Sequence, residues 1–254
     1  MATLIVAGGD VFLPVASSYL KGREFDHIIA VDAGVLAAEK LGLSVDYLVG
    51  DFDTLGEEKL AHWEKIPNIS VKKYNPQKDD TDMEIAVKLA LQFEEGKRKA
   101  RGNLSSRFFP EQVLLIGATG TRLDHTLANI SMLSQFETAG ISACILDAHN
   151  RLSMHGRGFC LSKKELLGKY ISFVAFTKEV SGITLKGFCY PLDGYTLRKE
   201  SSRCISNEAC GEELSVEFSE GELLMVESAD TALYGAGYHR YPFVLHKISC
   251  GGGL

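Results

Sequence analysis

The residues of this chain best suited to chemistry are carboxylates that follow short apolar runs. Asp10 follows LIVAGG, Asp32 follows IIAV, and Asp51 and Asp53 follow YLVG. In an open parallel sheet, ligands bind outside the carboxyl ends of the strands, so four acids at such ends can line one crevice. A single Asp after a strand is more often a cap or turn residue; several together shift the balance toward a site. Gly50-Asp51-Phe52-Asp53 is the tightest group. At a spacing of i, i+2 both carboxylates face one cavity where the backbone turns locally, and hard oxygen ligands suit Mg2+, which keeps phosphates and waters in its shell. Lys78-Asp79-Asp80-Thr81-Asp82 is a second acidic group. Its acids repel one another unless a cation is near. A helix N-terminus favours negative charge but needs only one or two such acids. Lys78 supplies a point charge suited to phosphate.

A third element, Gly117-Ala118-Thr119-Gly120-Thr121-Arg122-Leu123-Asp124-His125, follows the apolar run VLLI and precedes a helix-like stretch. Its glycines allow close backbone approach, and a helix N-terminus attracts phosphate. It is neither a dinucleotide fingerprint nor a Walker A loop. Arg122 is placed to clamp a phosphate; Asp124 can bind metal, cap the helix or contact a ribose; a lone His125 is more often a structural hydrogen-bonder. Ser206-Asn207-Glu208, by itself, is a polar turn. No Ser/His/Asp triad or Cys/His nucleophile stands out.

The elements that position these groups follow from periodicity. Strand-like runs occur at Leu4–Ala7, His27–Val31, Tyr47–Val49, Val113–Ile116 and Ala143–Leu146. Helix-like stretches lie between them, at Ala33–Leu41 and Glu57–Glu64. Ile85, Leu89 and Phe93 predict a helix over Asp82–Glu95, capped by Thr81-Asp82 and ended by Gly96. Leu127, Ile130 and Leu133 predict another over Asp124–Ala139, with Gly140 as its stop. Alternation of strand and helix argues for a mostly parallel sheet covered on both faces. The basic stretch 97–110 breaks this rhythm and reads as a surface loop. After about residue 150, short runs separated by turn residues, Tyr170–Phe176, Gly182–Leu185, Leu214–Phe218 and Leu223–Glu227, read as antiparallel strands. The expected organisation is an α/β domain at residues 1–150 followed by an all-β domain at 151–254.

Composition narrows the function classes. The 254 residues are 45% hydrophobic and 24% charged, ordinary globular values. The net charge of −6 disfavours a uniformly basic nucleic-acid surface. The whole excess lies in residues 1–150, which hold 15 basic and 21 acidic side chains. No run approaches 18 apolar residues, and MATLIVAGGD has no basic n-region, so a cytoplasmic protein without membrane attachment is expected. Of the 6 cysteines none forms Cys-x-x-Cys, and reduced buried thiols are expected rather than a disulfide framework or zinc site.

VDAG (Val31–Gly34), GDFDT (Gly50–Thr54), KDDTD (Lys78–Asp82), GATGTRLDH (Gly117–His125) and SNE (Ser206–Glu208) occur in this order. In this ordered set the chain resembles the thiamine pyrophosphokinase (thiamine diphosphokinase) family, from Gly8 to about Glu227. The resemblance implies transfer of the pyrophosphoryl group of ATP to the hydroxyl of thiamine with Mg2+, giving AMP and thiamine diphosphate. It implies an α/β nucleotide domain, a β-sandwich domain, and a homodimer with sites at the subunit interface. Carried onto these residues, Asp51, Asp53 and Asp82 form the metal and phosphate centre, with Asp32, Asp79 and Thr81 nearby. Lys78 and Arg122 contact phosphates; Asp124, His125 and Asn129 help bind the nucleotide; Ser206 and Asn207 contact thiamine. Thr121 departs from the glycine of many relatives. Where some relatives carry an aromatic after the SNE block, Ala209 and Cys210 stand here, which leaves Tyr190 or Tyr195 as stacking candidates. Trp63 is expected to pack within the first domain.

Two other classes compete. Asp51-Phe52-Asp53-Thr54 also fits the nucleophile motif of haloacid-dehalogenase-like phosphatases, but no acid follows VLLI until Asp124. A non-catalytic nucleotide or thiamine sensor on the same fold need not keep a full metal centre.

Overall fold

Val113–Ile116 (β5) and Ala143–Leu146 (β6) are strands buried at every residue. A run buried on both sides needs cover on both faces, which a parallel sheet with crossover helices supplies. The computed structural model describes residues 2–52, 56–67, 69–73, 79–101 and 111–233. By contacts the chain divides into two compact units, one up to Ala148 and one from His149.

In the first unit the strands are β1 (Ala2–Val6), β2 (Phe25–Val31), β3 (Tyr47–Gly50), β4 (Ser70–Lys73), β5 and β6. They are ordered β4-β3-β2-β1-β5-β6, and every pairing is parallel. The chain runs outward from β1 to β4, then crosses back to begin again at β5. The carboxyl ends of β1 and β5 therefore flank a switch point, where such sheets open a crevice. The helices are α1 (Leu13–Leu20), α2 (Gly34–Lys40), α3 (Glu57–Trp63), α4 (Asp82–Arg101) and α5 (Leu123–Thr138). Gly34 lets α2 begin hard against the sheet: a Cβ there would lie 2.0 Å from the Val6 carbonyl oxygen. Trp63, at the end of α3, is buried.

The predicted helix beginning at Asp82 is present, but Gly96 does not end it. Lys97 bonds the Glu94 carboxylate at 2.6 Å and the Asp26 carboxylate at 2.8 Å, and buried Glu94 accepts from the Thr3 hydroxyl at 2.8 Å. A glycine inside a helix costs about 1 kcal/mol relative to alanine; hydrogen bonds to charged groups exceed that. The expected loop at 97–110 thus starts as helix through Arg101, and 102–110 lie outside the described residues. Gly140 does stop α5, in the left-handed conformation at φ 69°, the usual glycine C-cap. The edge strand β4 (SVKK) and the short α1 carry too little apolar periodicity to be predicted.

The second unit is antiparallel. β7 (Asn150–His155), β13 (Leu223–Ser228) and β9 (Tyr170–Ala175) form one sheet with β13 central. β11 (Leu192–Arg198), β10 (Glu179–Lys186), β12 (Glu213–Glu217) and β8 (Phe159–Ser162) form the other, in that order. Ile171 and Phe173 of β9 and Met225 of β13 pack in one core with Val180, Ile183, Leu185 and Val216. Two sheets sharing one core of alternate inward residues make a β-sandwich. Sequence periodicity does not predict β7 and β11, whose runs are interrupted by polar and charged residues, or β8, whose apolar run spans only Phe159–Leu161.

Cys189 and Cys210 form a disulfide, with S–S 1.98 Å and Cα atoms 5.1 Å apart. This corrects the expectation of reduced thiols throughout. The two lie 21 residues apart in no recognisable motif; the isolated bridge Phe188↔Ala209 brings them within disulfide reach. Cys144 and Cys204 are buried free thiols, as expected, and Cys160 is half-buried.

One charge pair lies deep in this unit. Arg151 of β7 and Glu227 of β13 face each other across the ladder, and Arg151 Nε donates to Glu227 Oε1 at 2.8 Å. The Leu167 N–H donates to the other carboxylate oxygen at 2.8 Å. Truncating one partner leaves the other charge buried. Glu227→Ala should therefore lower the unfolding free energy by about 3–5 kcal/mol, read from urea unfolding; a loss below about 1 kcal/mol would contradict this view of the pair.

Candidate active site

The site in the first unit is built where β2 and β3 end. Asp32 leaves β2 with φ 46°, and its N–H still donates to the Val49 carbonyl at 2.9 Å, extending the ladder by one residue. That turn directs its carboxylate over β3. A Cβ on Gly50 would lie 1.8 Å from Asp32 Oδ1, so only glycine fits beneath it. The chain then reverses at Phe52, φ 64°, whose N–H approaches Asp32 Oδ1 at 3.4 Å. Phe52 is buried, which anchors the reversal. Asp51 is thereby carried to the same place. Asp82 arrives from elsewhere, as the first residue of α4, whose opening turn is capped by the Thr81 hydroxyl accepting from the Glu84 N–H at 3.2 Å.

Carboxylate oxygens of Asp32, Asp51 and Asp82 all lie within 4.8 Å of one another, and all three residues are half-buried. Two like unit charges 4 Å apart repel by about 4 kcal/mol at an effective dielectric of 20. A convergent set of hard, anionic oxygens is the donor chemistry that Mg2+ takes. Asp53 and Lys78 lie outside the described residues. Asp79 is exposed and Thr81 serves as the cap. Asp80 is engaged by Lys88 at 2.7 Å. The resemblance implies Asp32 only near the centre; the structure makes it one corner of the cluster.

The glycine-rich loop lies after β5, beside the loop after β1. Gly9 N–H donates to the Gly117 carbonyl and Asp10 N–H to the Thr119 carbonyl, each at 2.9 Å. Gly117 has φ 67°, and a Cβ there would meet the Ala7 carbonyl oxygen at 2.4 Å. Thr121, the departure from the expected glycine, is exposed. Arg122 and Asp124 pair with each other through bonds of 2.6 and 3.2 Å. The Arg122 hydrogen bond, reinforced by the His125 backbone, holds the Asp124 carboxyl down to about 2. Both side chains are exposed, so Arg122 is available to an incoming anion at the α5 N-terminus. His125 is exposed. Asn129 is buried and donates to the Ala118 carbonyl at 2.7 Å. It holds the loop onto α5 rather than offering its amide to solvent.

The second unit presents a separate surface. Ser206 has φ 58°, and its N–H donates to the Ser172 hydroxyl at 2.9 Å. Asn207 is buried. Its Oδ1 accepts from the Tyr190 N–H at 3.0 Å and the Glu208 N–H at 2.9 Å, and its Nδ2 donates to the Tyr190 carbonyl at 2.8 Å. The asparagine of the SNE block thus clamps the backbone of Tyr190, a residue that is 67% exposed. Sequence reading missed this clamp: the two segments are 17 residues apart, and nothing local links them. Tyr195 instead sits under the Arg203 guanidinium at 5.2 Å. Among the described residues only Asp32, Phe52 and Ser206 are non-glycines at positive φ, and each falls within or beside a motif singled out from the sequence. Such conformations cost on the order of 1–3 kcal/mol and cluster at functional sites.

Convergent strand-end carboxylates and a glycine-rich loop at a helix N-terminus, in one chain with a β unit that displays a clamped aromatic, suit an enzyme that handles phosphate groups. Comparison with known proteins identifies which. Residues 21–145 match the family model "Thiamin pyrophosphokinase, catalytic domain", and residues 160–223 match "Thiamin pyrophosphokinase, vitamin B1 binding domain". Thiamine pyrophosphokinase of Bacillus subtilis (strain 168) is 31% identical over 228 residues, covering 89% of this chain and 98% of the relative. The crystal structure of the Bacillus subtilis enzyme superposes with a TM-score of 0.76 at 30% identity, over 91% of this chain and 100% of that one. That of the Geobacillus thermodenitrificans protein gives 0.73 at 29% identity, over 91% and 98%. The chain belongs to the thiamine pyrophosphokinase family.

Gly50→Ala tests the geometry. The added methyl must displace the Asp32 carboxylate, so turnover should fall at least about a hundredfold while the circular dichroism spectrum stays that of the parent. Near-parental turnover would separate Asp32 from the site.

Proposed function

We propose that this chain carries out its family's reaction, transfer of the pyrophosphoryl group of ATP to the hydroxyl of thiamine, through the two surfaces described above. The nucleotide chemistry is assigned to residues 1–150 and thiamine recognition to residues 151–254. The observation that carries the first assignment is the convergence of Asp32, Asp51 and Asp82.

Those three carboxylates fit Mg2+, and Asp53 and Asp79 stand next to them in sequence as further oxygen donors. Mg2+ bound there supplies charge neutralisation for the phosphate oxygens. The protein's own part is positioning. Lys78 and Arg122 take phosphate charge, Arg122 by exchanging Asp124 for the anion. The backbone of the glycine-rich loop and the α5 N-terminus offer N–H donors. Asp124 and His125 contact the nucleotide, and Asn129 holds the loop that does so. In-line approach of the thiamine hydroxyl to the β-phosphorus makes AMP the leaving group.

On the β unit, the exposed Tyr190 ring is the stacking surface for thiamine. Its backbone is held at both N–H and C=O by Asn207, so the ring is presented at little ordering cost. A cationic thiazolium over an aromatic face adds cation–π attraction. Ser206, next to Asn207 in the chain, offers a hydroxyl. The family resemblance further supports a homodimer with sites at the subunit interface. No helix among the described residues is long and apolar enough to cross a membrane.

A product assay with thiamine, ATP and Mg2+ tests the reaction: AMP should form in step with thiamine diphosphate, whereas ADP would mean a different transfer. Tyr190→Ala should raise the thiamine KM about tenfold with the ATP KM unchanged. An unaltered thiamine KM would remove this ring from the site.

A further inference from the structure

The Cys189–Cys210 disulfide sits where the thiamine surface is held together. Cys189 directly precedes Tyr190, and Cys210 follows Asn207 by three residues. Both cysteines are exposed. The other ties between the two segments are non-covalent: the Asn207 clamp, the Cys189 N–H donating to the Glu208 carbonyl at 2.9 Å, the Cys210 and Gly211 N–H groups donating to the Gly187 carbonyl at 2.9 and 2.8 Å, and the packing of Phe188 and Ala209 in one core. The covalent link is thus the one tie here that redox chemistry can break. The other thiols of the described residues differ: Cys144 and Cys204 are buried, burial pushes the Cys204 thiol up, and Cys160 is half-buried. The β-sandwich core of Ile171, Phe173, Val180 and Val216 does not include the pair, so opening it leaves the fold's main support intact.

We infer that Cys189 and Cys210 form a reversible thiol–disulfide site, read by dithiol and disulfide compounds, that sets how firmly Tyr190 is presented to thiamine. The inference rests on the assignment of Tyr190 as the thiamine surface. In the reducing direction a thiolate of a dithiol attacks one cysteine sulfur, the Cys189–Cys210 bond breaks, and a mixed disulfide forms. The second thiol of the reductant then displaces the protein, which leaves with two thiols, while the reductant leaves as its disulfide. Two electrons and two protons pass from reductant to protein. Oxidised glutathione reverses the exchange by the same two steps. Exposure on both sides is what such exchange requires. With the bond closed, the 188–191 turn and the 207–210 segment move as one. With it open, the two segments are held by hydrogen bonds and core packing alone, and ordering Tyr190 costs thiamine affinity.

The test uses the full chain in two preparations, one equilibrated with dithiothreitol and one with oxidised glutathione. The state of Cys189 and Cys210 in each is read by alkylation and peptide mass spectrometry. The oxidised form should bind thiamine with a KM about threefold to tenfold lower, with the ATP KM unchanged. The double variant Cys189→Ser, Cys210→Ser should match the reduced form and ignore the redox treatment. Equal thiamine KM values in two preparations of verified thiol state would overturn the inference, as would a double variant that still responds. Tyr190→Ala separates the two ideas. A normal thiamine KM in that variant sinks the assignment of the ring; a raised KM, with wild type indifferent to redox state, sinks only the switch.

Discussion

Mutual repulsion of three carboxylates is the constraint around which the first unit is arranged. Asp32, Asp51 and Asp82 hold their oxygens within 4.8 Å of one another, at a cost of several kcal/mol without a cation. No single element delivers them. Two come from adjacent strand ends and the third from the start of α4, far along the chain at Asp82. The parallel order β3-β2 puts Asp32 and Asp51 side by side, and the α4 N-terminus, favourable to negative charge, brings Asp82. The substrate expected there is itself a polyanion, and the divalent cation proposed for this cluster would be the physical link between an acidic crevice and a triphosphate.

Local strain keeps the carboxylates where they are. Asp32 and Phe52 both occupy the left-handed region, and glycine at position 50 is the space into which the Asp32 carboxylate folds. The buried Phe52 ring and the β2–β3 ladder sustain those conformations. The loop after β5 is held in the same manner, by backbone bonds to the loop after β1 and by Asn129 beneath it. On the β unit, Ser206 is strained and Asn207 is buried, and their joint effect is to present Tyr190. In each place a buried group orients a more accessible one. That division matches a reaction in which the protein mainly positions reactants.

Much of this was legible in the residues. The apolar runs at Val113–Ile116 and Ala143–Leu146 are strands at the predicted bounds, because fully buried strands carry an unbroken signal. Gly140 stops α5 as expected, because a left-handed cap favours glycine. Gly96 misled because the anchor that outweighs it, Lys97 with Glu94 and Asp26, joins residues from two elements. β7 and β11 escaped because polar and charged residues break their apolar runs, and β8 because its run, Phe159–Leu161, is too short to carry a signal.

Alone, the sequence determined the α/β-then-β organisation, the acidic character of the first part, and the ordered motifs that mark the family. Those properties are written in local periodicity and in residue types at fixed separations. Tertiary structure decided which acids converge, placing Asp32 with Asp51 and Asp82 and engaging Asp80 with Lys88. It also decided that Asn207 grips Tyr190, and that Cys189 meets Cys210. Each of these is a contact between segments distant in the chain. Its existence depends on strand order, loop path and steric fit, quantities that no local stretch of sequence contains.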